Sequence, residues 1–167
     1  AKPVAATVQP DPTAVPMPTS TPVRNSLPDG LLANVIRIVD GDTIDIVFQD
    51  GRTDRVRLLG IDTPETFSAN APNEYGNITD VNCLDKWGIL ATKFAVQELQ
   101  GEQVMVVLDP LAGERGYYGR LLAYIEIDPT GEDFNSRLIA NGYARVYTES
   151  SSSRQNEYLL LQDKAML

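Results

Sequence analysis

The stretch that decides the fold class of this chain is TIDIVFQDGRTDRVRLLGI, residues 43–61. Its first part, residues 43–48, shows partial period-2 alternation and is rich in β-branched residues, which predicts a strand. Asp50 and Gly51 tolerate positive φ and predict a hairpin turn, after which residues 55–61 form the returning strand. An apolar run over residues 35–39 precedes them, so three meandering strands predict a small antiparallel barrel.

Helices and further strands follow this meander. Asp85 is predicted to cap a helix that Gly101 ends. The predicted buried face of that helix consists of Trp87, Leu90, Ala91, Phe94 and Ala95. The later elements are a buried strand over 104–108, a strand over 121–127, a helix that Asp133 caps, a strand over 144–147 and a helix from about residue 154. This order favours an α+β barrel.

Residues 1–30 differ from the rest in composition. They hold seven of the 11 prolines, only four charged residues and no aromatic residue. Such a segment cannot bury enough surface to offset its ordering entropy, which predicts a disordered Pro/Thr-rich linker ahead of a domain over 31–167. A stalk of this kind commonly spaces a domain from a cell surface, so we expect a secreted or surface-tethered bacterial protein. An N-terminal extension without a role is the alternative.

Composition excludes several classes of site. The chain has no histidine, which rules out Ser-His-Asp and Cys-His catalysis and every metal site that needs imidazole. Its one cysteine, Cys83, rules out intrachain disulfides and cysteine-cluster metal sites. Oxygen ligands must therefore hold any metal, which points to Ca²⁺, Mg²⁺ or Mn²⁺.

The charge balance is acidic, with 14 Lys and Arg against 23 Asp and Glu and a formal net charge of -9. A general nucleic-acid binder is usually basic, because phosphate contacts supply most of its affinity. Taken alone, the net charge argues against a nucleic-acid partner. A local basic site completed by a divalent cation remains compatible with it. No stretch approaches the ~18–20 apolar residues of a membrane helix, so we expect a soluble chain.

Three carboxylates are candidates for a cation site. If the two strands pair symmetrically about the turn, Asp42 lies opposite positions 59–60 and close to Asp62 and Glu65. Three acids at one end of a barrel repel each other unless a cation neutralises them. The carbonyl of Thr63 could complete a site for a hard cation. Taken one by one, each acid is better explained as a cap or a solvated turn residue, and only the three together favour a cation site.

Two arginines are candidates for phosphate binding. Arg57 lies on the strand leading to Asp62, and Arg120 immediately precedes the apolar strand over 121–127. A guanidinium group matches phosphate oxygens bidentately and can stabilise the extra negative charge of a phosphoryl transition state. The alternative for each is an ion pair with one of the many surface carboxylates.

Four motifs, in order, carry a family resemblance: DGDT at 40–43, RLLGIDTPET at 57–66, YGRLLAY at 118–124 and FNSRLIANGYARV at 134–146. Together they resemble the staphylococcal nuclease (thermonuclease) family, from about Ala33 to the end of the chain. The resemblance implies an OB-fold, a five-stranded β-barrel with three helices. It also implies a Ca²⁺-dependent phosphodiesterase that cleaves DNA and RNA, with single strands preferred, and leaves 3′-phosphate ends. We expect a monomer.

The resemblance also implies residue roles. Asp42 and Asp62 would bind Ca²⁺ through their carboxylates and Thr63 through its carbonyl. Glu65 would be the general base, and Arg57 and Arg120 would clamp the phosphate. The residues expected to contact the nucleotide are Tyr118, near the terminal phosphate, and Tyr147, in place of the family's base-stacking tyrosines.

Some positions depart from the family pattern. Tyr117 stands where a lysine is often found, and polar Thr148 and Ser150 align with the base-stacking tyrosines. The loop over 67–85 is longer than usual. A second hypothesis is therefore a catalytically weak, nuclease-like binding module displayed on a stalk.

Overall fold

The computed structural model describes residues 30–167, so the predicted N-terminal linker lies outside the described residues except for Gly30. The elements, in chain order, are β1 (Leu31–Ile38), β2 (Thr43–Phe48), β3 (Thr53–Leu58), β4 (Ile61–Asp62), α1 (Val81–Leu99), β5 (Gln103–Leu108), β6 (Leu121–Ile127), β7 (Glu132–Asp133), α2 (Phe134–Ala140), β8 (Arg145–Val146) and α3 (Gln155–Ala165).

Five of the strands close into a barrel. Antiparallel pairing runs through β3, β2, β1, β5 and β6, and parallel pairing of β3 with β6 closes the ring. This closed barrel with its three helices confirms the expected OB-fold. The short strands β4 and β8 pair with each other in a separate ladder beside it.

The barrel interior is built by the alternation read from the sequence. Ile44, Ile46 and Phe48 of β2 are buried together with Val56 and Leu58 of β3. On β5 only the alternate Val104 and Val106 are fully buried, whereas Leu108 is exposed, so the prediction of a wholly buried strand there is wrong. Met105 and Val107, on the other face of β5, are only partly buried, although Val107 still packs against the core.

Helix α1 differs from its prediction in its start and in its buried face. Asp80, and not Asp85, is the N-cap, and its carboxylate accepts a hydrogen bond from the Asn82 amide at 3.0 Å. The buried positions are Leu84, Gly88, Ala91, Ala95 and Leu99. Trp87 and Leu90 lie partly exposed at the flanks, because the small residues allow the helix backbone to approach the rest of the domain closely.

Helix α2 begins as predicted at Asp133, whose carboxylate accepts a hydrogen bond from the Ser136 amide at 3.2 Å. The buried Asn135 attaches this helix to the barrel by donating to the Leu59 carbonyl at 3.0 Å and accepting from the Ile125 amide at 3.2 Å. Among residues 30–167, no helix combines the length and apolar character that crossing a membrane requires.

Candidate active site

Strand register places the carboxylates and arginines at one end of the barrel. Thr43 on β2 faces Arg57 on β3, and the Leu58 amide donates to the Asp42 carbonyl at 2.8 Å. Asp42 therefore lies opposite residue 58, slightly short of the predicted 59–60. A Cβ atom on Gly41 would lie 2.8 Å from the Thr63 Oγ1, so only glycine allows this turn to approach Thr63 so closely.

Asp42 is buried, and three of its polar contacts are to the same carboxylate oxygen, Oδ2. Its Oδ2 accepts hydrogen bonds from the Thr63 amide at 2.8 Å and the Thr63 hydroxyl at 2.9 Å. The Nη1 of Arg57 lies 2.9 Å from the same oxygen. Burial raises the pKa of Asp42, and the charge of Arg57 opposes that rise.

Asp62 is held by two arginines and a tyrosine. The Nη2 of Arg57 donates to its Oδ1 at 2.7 Å. Its Oδ2 accepts from the Nε of Arg145 at 3.1 Å and from the Tyr75 hydroxyl at 3.0 Å. The Arg145 guanidinium also lies over two rings, 5.4 Å from the centre of Tyr75 and 5.7 Å from that of Tyr147. Tyr147 therefore reaches the site only through its contact with Arg145, among the described residues.

The structure corrects the expectation that three mutually repelling acids converge here. A single guanidinium, that of Arg57, bridges Asp42 and Asp62 and compensates their charge. Burial alone would lower the pKa of Arg57, but the two carboxylates raise it above its usual value. Within residues 30–167, no group of three or more His, Cys, Asp or Glu side chains lies close enough to hold a metal ion.

The donor atoms at this point nevertheless suit a hard cation. Asp42 and Asp62 are close enough to share one guanidinium, and the Thr63 amide is hydrogen-bonded to Asp42. In both carboxylates, most of the described contacts are to Oδ2. The Oδ1 of Asp42 accepts one hydrogen bond, from the Thr43 hydroxyl at 3.2 Å, and the Oδ1 of Asp62 accepts one, from Arg57 at 2.7 Å. A carboxylate offers about four lone-pair positions, so one on each Oδ1 remains available to a cation such as Ca²⁺.

Arg120 lies next to this cluster. Its Nη1 donates to the Thr43 hydroxyl at 3.3 Å, and its guanidinium lies 5.7 Å from the ring centre of Tyr118. Among the arginines of residues 30–167, Arg120 alone forms no ion pair. It opens, with Arg55 and Tyr118, onto a groove of about 790 Å³. The Tyr118 ring is 79% exposed, so it is accessible from this groove.

Glu65 has an exposed side chain on a fixed main chain. Its amide donates to the Asn70 Oδ1 at 2.8 Å, and its carbonyl accepts from the Asn70 Nδ2 at 3.0 Å. A Cβ atom on Gly88 of α1 would lie 2.5 Å from the Pro64 carbonyl oxygen, so the helix packs directly against this segment. No ion pair to Glu65 occurs within the part of the chain that the structure describes.

Sequence reasoning missed four residues of this site: Asn70, Tyr75, Gly88 and Arg145. Arg145 faces Asp62 in the β4–β8 ladder, and such a cross-strand pair can be found once the ladder is known. Asn70 and Tyr75 lie in the loop before α1, which carries no periodic pattern. A small residue such as Gly88 gives no signal until its helix is placed.

Comparison with known proteins identifies the family. The model of the staphylococcal nuclease homologue family matches residues 55–166. The chain is 37% identical over 112 residues to a thermonuclease of Staphylococcus hyicus, 34% over 110 residues to Endonuclease YncB of Bacillus subtilis, and 41% over 138 residues to an uncharacterized protein of Methanocaldococcus jannaschii. These matches cover 67%, 66% and 78% of this chain and 57%, 45% and 66% of the relatives, so the chain spans less than two thirds of each. The family match covers more than half of the chain, which therefore belongs to the staphylococcal nuclease family.

Proposed function

We propose that this protein is a Ca²⁺-dependent nuclease that hydrolyses phosphodiester bonds in DNA and RNA and leaves 3′-phosphate ends. The observation that carries the proposal is one connected network of charged groups: Arg120 contacts Thr43, Thr43 donates to Asp42, and Arg57 bridges Asp42 and Asp62. Carboxylates for a cation and guanidinium groups for a phosphate lie side by side in it.

The arginines supply the binding and stabilisation of the phosphate. Arg120 has no carboxylate partner among the described residues, and its guanidinium is therefore available to a phosphate in the groove. Arg57 is fixed by the two carboxylates and by the Ile61 carbonyl, to which its Nη1 donates at 3.0 Å. A fixed cation stabilises developing charge without reorganisation, which makes such donors effective in a transition state.

Asp42 and Asp62 would hold the metal ion, together with the carbonyl of Thr63. Ca²⁺, when bound, would polarise the phosphoryl oxygen and add positive charge beside the arginines. Glu65 would accept the proton of the attacking water. Its exposure and its lack of an ion pair within residues 30–167 leave its carboxylate available for that task.

The relatives support the same chemistry, since two of them are named a thermonuclease and an endonuclease. The alternative is a nuclease-like module that binds and does not cleave. The intact residue set favours cleavage, because a module that had lost catalysis would be expected to have lost Asp62, Glu65 or an arginine, and all of them are present. The composition of residues 1–30 supports the further proposal that the protein acts outside the cell, tethered or secreted.

A cleavage assay with a matched variant tests the proposal. A single-stranded oligonucleotide is incubated with the wild-type protein in Ca²⁺, and separately in excess chelator. We expect Ca²⁺-dependent cleavage that Glu65→Gln lowers by about 10²–10⁴-fold. Glu74→Gln, which changes a neighbouring acid in the same segment, should retain the wild-type rate. Binding without cleavage in Ca²⁺ would favour the binding module.

A further inference from the structure

We propose that Asn70 is a positioning residue for Glu65, acting by fixing the main chain from which the Glu65 carboxylate projects. The inference rests on the proposed function, in which Glu65 is the general base. The Asn70 amide group makes both hydrogen bonds that the Glu65 main chain offers: Oδ1 accepts from the Glu65 amide at 2.8 Å and Nδ2 donates to the Glu65 carbonyl at 3.0 Å.

The burial of Asn70 is unusual for its surroundings. Its neighbours in this loop are exposed, and Phe67, only three residues earlier, is 79% exposed, whereas Asn70 is 7% exposed. A loop that folded for hydrophobic burial alone would turn the phenyl ring inward and leave the amide in water. This loop does the opposite, which indicates that the contacts of Asn70 determine its path.

Helix α1 also holds Asn70 and the Glu65 peptide in place. The Asn70 Nδ2 donates a second hydrogen bond, to the Asp85 Oδ1 on α1 at 2.8 Å. On the same helix, a Cβ atom on Gly88 would lie 2.9 Å from the Glu65 carbonyl oxygen. The Glu65 peptide is therefore held between Asn70 and the helix surface: separating it from Asn70 breaks two hydrogen bonds, and moving it together with Asn70 breaks the Asn70–Asp85 bond.

Fixing the main chain matters because Glu65 has no side-chain ion pair within residues 30–167 to hold its carboxylate in place. The direction of its Cα–Cβ bond is then the main constraint on where the carboxylate can lie. A misplacement of about 1 Å can lower a rate by about 10²-fold. Loss of the Asn70 contacts should therefore affect the chemical step and leave phosphate binding at Arg57 and Arg120 unchanged.

The variant Asn70→Asp tests this role. It keeps the size of the side chain and the acceptor for the Glu65 amide, but it loses both donated bonds and faces Asp85 with a like charge. We expect kcat to fall by about 10–100-fold with KM within about twofold, since only the base is displaced. Ca²⁺ should raise the melting temperature of this variant by as much as it raises that of the wild type, because Asp42 and Asp62 are unchanged. Asn77→Asp, an exposed change in the same loop, is the matched control and should behave as wild type.

Two combinations show whether Asn70 acts through Glu65. Asn70→Asp with Asp85→Asn restores a hydrogen bond between positions 70 and 85 in the reverse direction, and we expect it to recover part of the lost kcat. In the Glu65→Gln background, Asn70→Asp should cause no further loss, because the group it positions is already absent. Losses that multiply fully would overturn the proposal. If Asn70→Asp does not fold, Asn70→Ala is used, which removes the same contacts to Glu65 without adding a charge, and an unchanged kcat there would also overturn the proposal.

The outcomes separate this inference from the proposed function. A wild-type kcat in Asn70→Asp, together with a slow Glu65→Gln, would overturn the role of Asn70 and leave the base in place. A lowered melting temperature with unchanged kcat would likewise assign Asn70 to stability alone. A wild-type rate in Glu65→Gln would remove the base assignment and the role of Asn70 but leave the nuclease activity, whereas no cleavage by the wild-type protein in Ca²⁺ would overturn the proposed function.

Discussion

The Nη2 of Arg57 lies 2.7 Å from the Oδ1 of Asp62, while its Nη1 lies 2.9 Å from the Oδ2 of Asp42. One partly buried cation thus serves two buried carboxylates. Removing one partner of a buried pair is strongly destabilising, because the remaining charge has no compensation. The site without a metal is therefore held together by an arginine that the proposed mechanism also uses for the phosphate.

Arg57→Met should lower the free energy of unfolding by about 3–5 kcal/mol, since two adjacent carboxylates lose their shared cation. Ca²⁺ should restore more stability to this variant than it adds to the wild type, because the ion then replaces the missing charge. Urea unfolding with and without Ca²⁺ measures both effects.

The matched control for that experiment is Arg154→Met. Arg154 also joins two carboxylates, those of Glu126 and Asp133, away from the site. It should be destabilised, and Ca²⁺ should add to it only as much stability as it adds to the wild type, because its Ca²⁺ site is intact. Equal recovery in both variants would mean that Ca²⁺ acts on the whole domain and not at Asp42 and Asp62.

Arg120→Lys should leave stability within about 0.5 kcal/mol of wild type, because Arg120 forms no ion pair among the described residues. It should lower kcat by about 10²-fold or more, since lysine keeps the charge but loses the bidentate geometry. Arg115→Lys is the control, since Arg115 pairs with Asp54 at 2.6 Å in the same region. Steady-state kinetics on an oligonucleotide measure kcat for both variants. A wild-type kcat in Arg120→Lys would contradict the role of Arg120 in phosphate binding.

The salt dependence of binding should be shallow. The domain is acidic, with a formal net charge of -9 for the chain, so attraction of a polynucleotide must come from a few local contacts. Two or three phosphate contacts to a single strand give a slope of log K against log salt of about -1.4 to -2.1. Anisotropy titrations with the slow Glu65→Gln variant measure it. A slope steeper than about -4 would indicate an extended basic surface.

Asp109 predicts a pH-dependent contribution to stability. Burial would raise its pKa, but hydrogen bonds from the Ser153 and Leu111 amides and the Tyr124 hydroxyl lower it below the usual 3.8. A depressed folded pKa stabilises the protein above the unfolded value, and that stability is lost as the pH falls through the folded pKa.

Asp109→Asn should therefore cost about 1–3 kcal/mol of unfolding free energy at neutral pH, because the amide cannot accept all three bonds. The difference from wild type should narrow below about pH 4, as Asp109 itself becomes protonated. Urea titrations at pH 7 and pH 3 measure this. A difference that is constant with pH would show that the charge of Asp109 makes no contribution.

Strand alternation made most of the barrel predictable, since Ile44 and Ile46 and the turn at Gly51 determine the β2–β3 hairpin. The face of α1 was predicted only in part: Ala91 and Ala95 are buried as expected, but Trp87 and Leu90 are exposed, and Gly88 lies on the buried face instead. Close packing there depends on how near the helix can come, which hydrophobicity does not report.

The candidate site was also predictable only in part. Asp42, Arg57 and Asp62 lie on strands and their ends, so register alone brings them together. The same register also brings Arg57 next to Asp42. Their ion pair was not predicted, because the acids were assigned to a cation and the arginines to a phosphate. Asn70 and Tyr75 reach the site from a loop without a repeating pattern, and their contacts depend on the tertiary path of the chain.

Hydrolysis of phosphodiester bonds at this site with Ca²⁺ can be tested by the chemistry of the product ends. A 5′-labelled single-stranded oligonucleotide is digested by the wild-type protein in Ca²⁺, and the products are treated with a 3′-phosphatase before electrophoresis. We expect Ca²⁺-dependent fragments whose mobility shifts after that treatment, because each carries a 3′-phosphate. Fragments that do not shift, or no cleavage in Ca²⁺, would contradict it.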